Sequence, residues 1–433
     1  PEASSAMSVD RTARQAERHQ RRSQVFDRQT QPIIGRPTRY PAWSSCCPLP
    51  PAMTAKGQEP HRKDCSVGSY RTLLRAFVPQ LLSLPFTHAL PVGLISVSRA
   101  ARYHSVMKFT RRLGETQAAA CYPLPIHDQA QWQYLGAGAW QTQIDLGELP
   151  ADQIVVPSFV LIGTEYQYQF AVKHGHGANL LRAIPATADS KTLFPDHSEN
   201  SPMVSDHIDC WHSRAVIRAA RVILRVECET QPRNYLCAVS TRPLEIDAKV
   251  GAVRSVALEQ PPAISQMTAA EDFRRRICSP TALAMALAYL QKLYDIEQRS
   301  KLWSELITGC YDPITKAYGM WPQATYQAGR LDCLAAVECS TDWTELEQAL
   351  LQGTPVICSI RFENGELDTA PLARTSGHLL VVYGINKDSV FAMDPAAADT
   401  NSVAHIYDRE QFAAAWLRHR GAAYFFGRAI TDR

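Results

Sequence analysis

Between residues 131 and 243 the hydrophobic positions follow a period of two. The clearest case, at 166–172, reads Tyr-Gln-Tyr-Gln-Phe-Ala-Val. The same alternation recurs at residues 140–146, 154–161, 215–227 and 235–240. Polar, turn-rich stretches separate these segments, and short alternating strands with turns between them are typical of an antiparallel β-sandwich. We therefore predict a sandwich-like domain over residues 107–255.

After a linker at 244–263, the pattern changes to helices followed by strands. Residues 280–290 consist almost wholly of good helix formers, with one predicted apolar stripe formed by Leu283, Leu287, Leu290 and Tyr294. Ser279 is expected to cap this helix, and Pro280 to lie in its first turn, where a missing N–H is no loss. Further along, the pattern predicts amphipathic helices at 301–307 and 342–351, a loop at 317–322 and a strand at 354–360.

Cys278 is predicted to lie at the N-terminus of the first of these helices. Amide N–H groups without intrahelical acceptors and the positive end of the helix dipole favour a thiolate there. Three arginines at 274–276 add positive charge just upstream; we interpret them as solvated side chains, with an acidic substrate as the alternative. Cys278 is therefore a candidate nucleophile. The cysteines interpreted as structural are Cys310, Cys333, Cys339 and Cys358.

Two apolar segments, 378–383 and 389–393, flank the turn-rich sequence Gly-Ile-Asn-Lys-Asp and predict an antiparallel hairpin. If the turn is centred near Asn386, His378 and Asp394 face each other across the open end of the hairpin. Directly opposed Cβ atoms are about 4.5–5.5 Å apart, which allows a hydrogen bond between an imidazole and a carboxylate.

A cysteine, a histidine and an aspartate together supply the chemistry of nucleophilic catalysis. A partner imidazole increases the ionised fraction of the thiol and later protonates the leaving amine, while a carboxylate orients the ring. The developing oxyanion needs a donor, for which the Cys278 backbone N–H and the Gln266 side chain are candidates. Trp321 is a candidate wall of the substrate cleft, with a buried core position as the alternative. This chemistry needs no metal and no organic cofactor.

Two groups of side chains could instead bind a metal: His174 with His176, and His207 with Cys210 and His212. We interpret both as ordinary turn and strand residues, because neither completes a four-ligand zinc pattern.

Composition narrows the classes of function. The 433 residues include 45 basic and 42 acidic side chains, a net charge of +3 that indicates no nucleic-acid partner. The 12 cysteines have no regular spacing, so we expect no disulfide framework. No apolar run is long enough for a membrane-spanning helix, and the oligomeric state is left open.

Residues 1–106 are rich in Arg, Ser, Pro and Gln, and we predict a disordered segment or translated sequence upstream of a start at Met107. A targeting segment is the alternative, because Arg71 and Arg75 precede an apolar stretch at 81–97. Prolines interrupt that stretch, so localisation in the cytoplasm and secretion both stay open.

A series of motifs then carries a resemblance to a known family. They are Ser265-Gln266-Met267, Cys278-Ser279-Pro280-Thr281, Gly319-Met320-Trp321-Pro322, Gly353-Thr354-Pro355-Val356, Ser376-Gly377-His378-Leu379, Asp394-Pro395-Ala396, and residues 406–412 followed by Trp416. The segment that holds them, from about 262 to 428, resembles the papain-like cysteine peptidases related to bacteriocin leader-processing peptidases, and more narrowly the bacterial peptidase C39-like domains.

The resemblance implies an α+β papain-like domain over 256–433, in which a helical half packs on an antiparallel sheet. It also implies roles: Cys278 as nucleophile, His378 as general base and acid, Asp394 as the orienting residue and Gln266 as the oxyanion donor. Two positions depart from the family pattern. Ile277 stands where an aromatic residue is frequent, and Met320 where a polar residue is common, so both could alter the cleft.

The sequence thus predicts a thiol hydrolase that cleaves a peptide or protein substrate through a thioester acyl-enzyme. Passing the acyl group to an amine, as an acyltransferase or transpeptidase does, would use the same residues. A different class, also left open, is a catalytically inert binding protein that acts through the β-sandwich.

Overall fold

The computed structural model describes residues 108–175, 177–194, 201–248 and 250–427, and all of these fall within one compact unit. The predictions for residues 1–106, for Met107 and for His176 lie outside the described residues. Within them, no helix is long and apolar enough to cross a membrane.

The described residues between 109 and 243 contain ten strands and one short helix, Thr116–Cys121 (α1). The strands are Phe109–Gly114 (β1), Gln133–Gly136 (β2), Ala139–Leu149 (β3), Gln153–Leu161 (β4), Gln167–His174 (β5), Gly177–Leu180 (β6), Val204–Asp206 (β7), Trp211–Ser213 (β8), Ile217–Glu227 (β9) and Tyr235–Pro243 (β10). They pair as two five-stranded antiparallel sheets, β1-β10-β4-β8-β7 and β2-β3-β9-β5-β6. We call residues 109–243 the two-sheet region.

The facing residues of the two sheets form one hydrophobic core. Phe159 of β4 packs edge-on against Tyr168 of β5 across this core, with ring centroids 5.3 Å apart. The five strands that alternation predicted are confirmed as β3, β4, β5, β9 and β10, because each turns one row of side chains to the core.

The C-terminal region, residues 256–426, holds the other elements. They are Val256–Ala257 (β11), Cys278–Leu290 (α2), Ile296–Gly309 (α3), Trp321–Arg330 (α4), Ala335–Cys339 (β12), Thr344–Leu351 (α5), Val356–Phe362 (β13), Thr375–Ile385 (β14), Ser389–Met393 (β15), Ala404–Asp408 (β16), Arg409–Leu417 (α6) and Ala422–Phe426 (β17), with 3-10 turns at Gln266–Thr268 and Thr400–Ser402. The strands form one seven-stranded sheet in the order β12-β17-β13-β14-β15-β16, with β11 beside β14; its ladders are antiparallel.

Helices cover both faces of this sheet. Leu379 and Val381 of β14 pack in the cluster that includes α2, α3 and α4, whereas Leu380 and Val382 pack in the cluster that includes α5 and α6. The region is therefore mixed α and β with an antiparallel sheet, as the α+β prediction stated.

Helix α2 differs from its prediction in two ways. It begins at Cys278, and Ile277 occupies the N-cap position, so the cap predicted at Ser279 is wrong. The predicted apolar stripe is also wrong, because the helix is buried on all sides from Cys278 to Ala288, and Tyr294 lies beyond its end with 55% of its surface exposed. A helix enclosed by a sheet and two other helices has no solvent face, so its hydrophobic pattern is continuous.

The predicted loop at 317–322 ends earlier than expected. Trp321 and Pro322 form the first turn of α4, a position that tolerates proline. The predicted linker also contains structure, since Val256 pairs with Ile385 at the side of β14. The domain boundary near residue 255 stays a prediction.

Strand β12 is the edge of the seven-stranded sheet, and the two-sheet region covers that edge. The backbone N–H groups of Val337 and Cys339 donate to the hydroxyls of Ser158 and Ser240 at 3.1 and 3.0 Å. Both serines are almost fully buried. Side chains from β4 and β10 thus take the place of a neighbouring strand.

A buried ion pair lies at the same junction. Arg112 of β1 donates from Nε and Nη2 to the two carboxylate oxygens of Glu338 in β12, at 2.7 and 2.6 Å. The hydroxyl of Tyr122 donates to Oε1 of the same carboxylate at 3.1 Å. Burial lowers the pKa of Arg112, but the carboxylate of Glu338 outweighs this and raises it. The two buried charges therefore compensate each other within the protein.

We predict that Glu338→Ala destabilises the protein, because Arg112 would be left buried without its carboxylate. The free energy of unfolding should fall by about 3–5 kcal/mol, measured by urea denaturation. Glu165→Ala is the control, since Glu165 and Arg330 form an exposed pair 3.9 Å apart and its loss should cost less than about 1 kcal/mol. Equal losses in the two variants would contradict a special role for the junction pair.

Candidate active site

The hairpin predicted around Asn386 is present as β14 and β15. Its turn is held by the Asn386 side chain, whose Oδ1 accepts from the backbone N–H groups of Asp388 and Ser389 at 2.9 and 2.7 Å. This Asx-type turn is the local reason why the two strands reverse here.

The register of the hairpin differs from the prediction by two residues. Val381 pairs with Met393, so the next position along the ladder places Leu380, and not His378, opposite Asp394. A bulge between Val382 and Gly384 shifts the ladder. Because side chains alternate between faces with a period of two, a shift of two residues keeps His378 on the same face as Asp394. The two side chains therefore meet diagonally.

His378 and Asp394 form a nearly buried hydrogen-bonded chain with Tyr407. The imidazole Nε2 lies 2.7 Å from Asp394 Oδ1, and the Tyr407 hydroxyl donates to Oδ2 of the same carboxylate at 2.7 Å. The backbone N–H of Ala396 donates to Oδ1 at 2.8 Å. The exposed fractions are 3% for His378, 1% for Asp394 and 1% for Tyr407.

These contacts set the charges of the pair. Burial by itself lowers the pKa of the His378 imidazole, but the charge and hydrogen bond of Asp394, together with the Cys278 thiol, raise it well above its ordinary value. Burial likewise raises the pKa of Asp394, and His378, Tyr407 and the Ala396 N–H outweigh that effect and lower it. Imidazolium and carboxylate are thus the favoured forms.

Cys278 lies at the first position of α2, as predicted, and its side chain is hydrogen-bonded to the His378 ring. Since Nε2 faces Asp394, Nδ1 is the ring nitrogen available to the thiol. The thiol thus meets the imidazole on the side opposite the carboxylate, at the positive end of the helix dipole.

Gln266 is held beside these residues by two segments. Its backbone N–H donates to the carbonyl of Pro395, directly after Asp394, at 2.8 Å. Its side-chain Nε2 donates to the carbonyl of Arg274 at 2.8 Å. Because a carbonyl can only accept, the end of the Gln266 amide that faces it must be the NH₂ group. The second N–H of that group remains for another acceptor. Oε1 is buried without a hydrogen-bond partner among the described residues.

Trp321 is 4% exposed and belongs to the core cluster that includes Cys278. Its ring is a packed core side chain, so its contact with a substrate stays a prediction. Of the three arginines, Arg276 donates to the carbonyl of Lys316 and lies over the Tyr318 ring, 5.7 Å from the centroid. Arg276 therefore has a structural contact that the sequence did not indicate.

The cysteines interpreted as structural are all buried. Burial raises the pKa of three of them to about 12 and that of the fourth well above its usual value; they are Cys310, Cys333, Cys339 and Cys358. In the candidate metal group of His207, Cys210 and His212, Cys210 Sγ lies 3.9 Å from His212 Nε2. Among the described residues, however, no cluster of three or more His, Cys, Asp or Glu could hold a metal ion.

Comparison of the sequence with known protein families gives a match. Residues 259–424 match the model of the Peptidase_C39 like family. They form a C39-like peptidase domain. A crystal structure described as that of a C39-like peptidase from Bacillus anthracis is 22% identical, covering 42% of this chain and 98% of that chain, with a TM-score of 0.30. No curated protein sequence matches the chain.

The C39-like peptidase domain confirms the family that the sequence motifs indicated. Its presence points to peptidase activity of the cysteine type, with a peptide or protein as substrate. The matched residues 259–424 include the positions of Cys278, His378, Asp394 and Gln266.

Two contacts of the C39-like domain were missed by sequence reasoning. Tyr407 was noted only as part of a motif, and its bond to Asp394 depends on the pairing of β16 with β15, where Tyr407 lies opposite Val390. The Arg274 carbonyl is a backbone atom, so no residue type could have indicated it. For Tyr407, the pattern at 404–408 gave no usable signal, because the apolar Ile406 is 62% exposed whereas Tyr407 is 1% exposed.

We predict that His378→Ala slows alkylation of Cys278 by iodoacetamide in mildly acidic solution by at least about tenfold, because the thiolate loses its imidazolium partner. Mass-spectrometric mapping of the labelled cysteine measures the effect. His405→Ala is the control, since His405 packs beside Tyr407 with ring centroids 5.6 Å apart. Unchanged labelling in His378→Ala would contradict the thiol–imidazole contact.

Tyr407→Phe should raise the pKa of Asp394, because the hydroxyl that stabilises the carboxylate is lost. Asp394 would then become protonated at a higher pH and support the imidazolium less. The acid limb of the Cys278 alkylation profile should move up by about 0.5–1 pH unit. Tyr235→Phe, which removes a buried hydroxyl bonded to the Ala130 N–H, should leave the profile in place; a downward shift in Tyr407→Phe would disprove the assignment.

Proposed function

We propose that this protein is a cysteine peptidase in which Cys278 is the nucleophile, His378 the general base and acid, Asp394 the orienting residue and Gln266 the oxyanion donor. The observation that carries the proposal is the continuous chain from the Cys278 thiol through His378 to Asp394, with Tyr407 at its end. Each link joins a different segment of the chain, so its formation requires the whole domain to fold.

In this mechanism the Cys278 thiolate attacks the carbonyl carbon of the scissile amide. The negative charge that develops on the carbonyl oxygen is stabilised by the remaining N–H of the Gln266 side chain. The His378 imidazolium transfers a proton to the leaving nitrogen, and the C–N bond breaks to leave a thioester on Cys278. His378 then accepts a proton from water, whose oxygen attacks the thioester; the C–S bond breaks, the acid is released, and the Cys278 thiolate and the His378 imidazolium are restored.

Asp394 supports both steps without touching the substrate. Its bond to Nε2 holds the ring so that Nδ1 faces the thiol, and its charge stabilises the imidazolium. The carboxylate stays ionised in a buried site because Tyr407 and the Ala396 N–H also donate to it. The burial of these partners excludes water from the pair, which strengthens their interaction.

The two-sheet region is, in this proposal, a β-sandwich-like accessory domain over 107–255 that precedes a papain-like domain over 256–433. The inert-binder alternative assigns the function to the two-sheet region alone. The arrangement of Cys278, His378 and Asp394 argues against it, because a binding protein has no need of a thiol and an imidazole in contact at a helix N-terminus.

The deciding experiment is a cleavage profile. Wild-type protein and Cys278→Ala are incubated with a peptide library, and products are identified by mass spectrometry. We expect cleavage to fall by at least about 10³-fold in Cys278→Ala. Cys310→Ala is the matched control, since Cys310 is buried in the same core cluster as Cys278, and it should keep activity.

Cleavage that persists in Cys278→Ala would contradict the mechanism. A parallel reaction with an added amine acceptor separates hydrolysis from acyl transfer, because a transferase would form more aminolysis product than free acid. Absence of both products over the whole library, together with uniform slow alkylation of several cysteines, would favour the binding protein.

A further inference from the structure

The segment from Asp312 to Gln323, here called the bridging segment, joins α3 to α4 and contacts both regions of the protein. At its start, Arg182 of the two-sheet region donates from Nη1 to Oδ2 of Asp312 at 2.5 Å. The carboxylate of Asp312 is fully buried, and the Arg182 side chain is 25% exposed. A buried carboxylate with a neighbouring guanidinium is a firm anchor.

At its end, the bridging segment is held by the two-sheet region at two further points. The hydroxyl of Tyr168 donates to the carbonyl of Pro322 at 3.1 Å, and the backbone N–H of Ala186 donates to Oε1 of Gln323 at 3.0 Å. Tyr168 is 1% exposed. Both ends of the segment are therefore fixed by residues outside the C39-like domain.

Between these ends the segment is held by its own hydrogen bonds. The Asp312 carboxylate accepts from the backbone N–H groups of Ile314 and Thr315 at 3.0 and 3.2 Å, and the Asp312 N–H donates to the carbonyl of Ala317 at 2.8 Å. The same carboxylate thus bonds both Arg182 and the turn, so Arg182 is connected to the turn through Asp312.

The middle of the bridging segment contacts the residues that precede Cys278. Arg276 donates to the carbonyl of Lys316, and its guanidinium lies over the ring of Tyr318. Phe273 also packs near Tyr318, with ring centroids 6.4 Å apart. The bridging segment thus contacts the turn at 273–276 through Lys316 and Tyr318.

That turn carries the acceptor of the Gln266 amide. Arg276 N–H donates to the carbonyl of Phe273 at 2.8 Å, and Arg274 N–H donates to the carbonyl of Ala270 at 2.9 Å, so internal hydrogen bonds hold the turn. The carbonyl of Arg274 accepts from Gln266 Nε2 at 2.8 Å. A continuous set of contacts therefore runs from Arg182 to Gln266.

We propose that the two-sheet region is a working part of the peptidase, and that Arg182, supported by Tyr168, is a positioning residue for the Gln266 amide. The inference rests on the proposed function, because it assigns Arg182 an effect on the oxyanion donor of that mechanism. Arg182 acts through the bridging segment and the Arg274 carbonyl, and it does not touch the substrate.

The test compares Arg182→Gln with wild-type protein in steady-state peptide cleavage. Since an oxyanion donor acts in the transition state, kcat should fall by about tenfold with little change in KM. In a Gln266→Ala background the same substitution should change kcat by less than about twofold, because residues that act through one another are not additive. A loss of equal size in both backgrounds would overturn the proposal.

Matched variants separate positioning from general destabilisation. Arg225→Gln is the control for Arg182→Gln: Arg225 is half-buried and donates to Gln141 and to the Leu193 carbonyl at 2.9 and 2.8 Å, all within the two-sheet region. Tyr168→Phe removes only the hydroxyl that donates to the Pro322 carbonyl. This variant should lower kcat about fivefold, whereas Tyr235→Phe should leave kcat unchanged. Equal effects in a test variant and its control would overturn the proposal.

A measurement that needs no activity separates this proposal from the proposed function. Backbone hydrogen exchange of residues 266–277, followed by mass spectrometry, should increase in Arg182→Gln and stay unchanged in Arg225→Gln. Unchanged exchange in Arg182→Gln would overturn the positioning role even in an active enzyme. Cleavage retained by Cys278→Ala would instead overturn the proposed function, and the exchange result would still decide whether Arg182 holds the Gln266 turn.

Discussion

A carboxylate that is almost fully removed from water must be hydrogen-bonded on most of its lone pairs, and Asp394 imposes this constraint on the rest of the C39-like domain. Its partners come from β14, from β16 and from its own turn: His378, Tyr407 and the Ala396 N–H. All three must be in place for the charge to be stable. Ionisation of Asp394 in the site therefore depends on correct strand pairing in the sheet.

The same turn also reaches the other half of the site. Pro395, one residue after Asp394, accepts from the backbone of Gln266, and Ser265 donates to the carbonyl of Ala397 at 2.6 Å. The segment that carries the amide is thus attached to the segment that carries the carboxylate. Cys278 is positioned by an α-helix, at the first residue of α2. Its position depends on burial of α2 on all sides, which leaves the helix little freedom to rotate.

Sequence reasoning located the pieces of the site better than the contacts between them. Cys278 at a helix start and the hairpin around Asn386 followed from local signals: helix formers with Pro280 in the first turn, and apolar strands beside a polar turn. The register of the hairpin did not follow, because the turn is centred between Lys387 and Asp388, where Ile385 pairs with Val390, and not at Asn386. The contacts of Arg182 and Tyr168 with the bridging segment could not be predicted, since they join residues more than 100 positions apart.

The cover over the edge of β12 has a consequence for the order in which the protein is made. The hydroxyls of Ser158 and Ser240 and the guanidinium of Arg112 all belong to the two-sheet region, which leaves the ribosome before Val337, Glu338 and Cys339 are translated. An unprotected strand edge invites pairing between nascent chains. Because the covering residues are synthesised first, they are available to bond the edge of β12 when that strand emerges. The order of the two regions along the chain thus favours pairing within the protein over association between nascent chains.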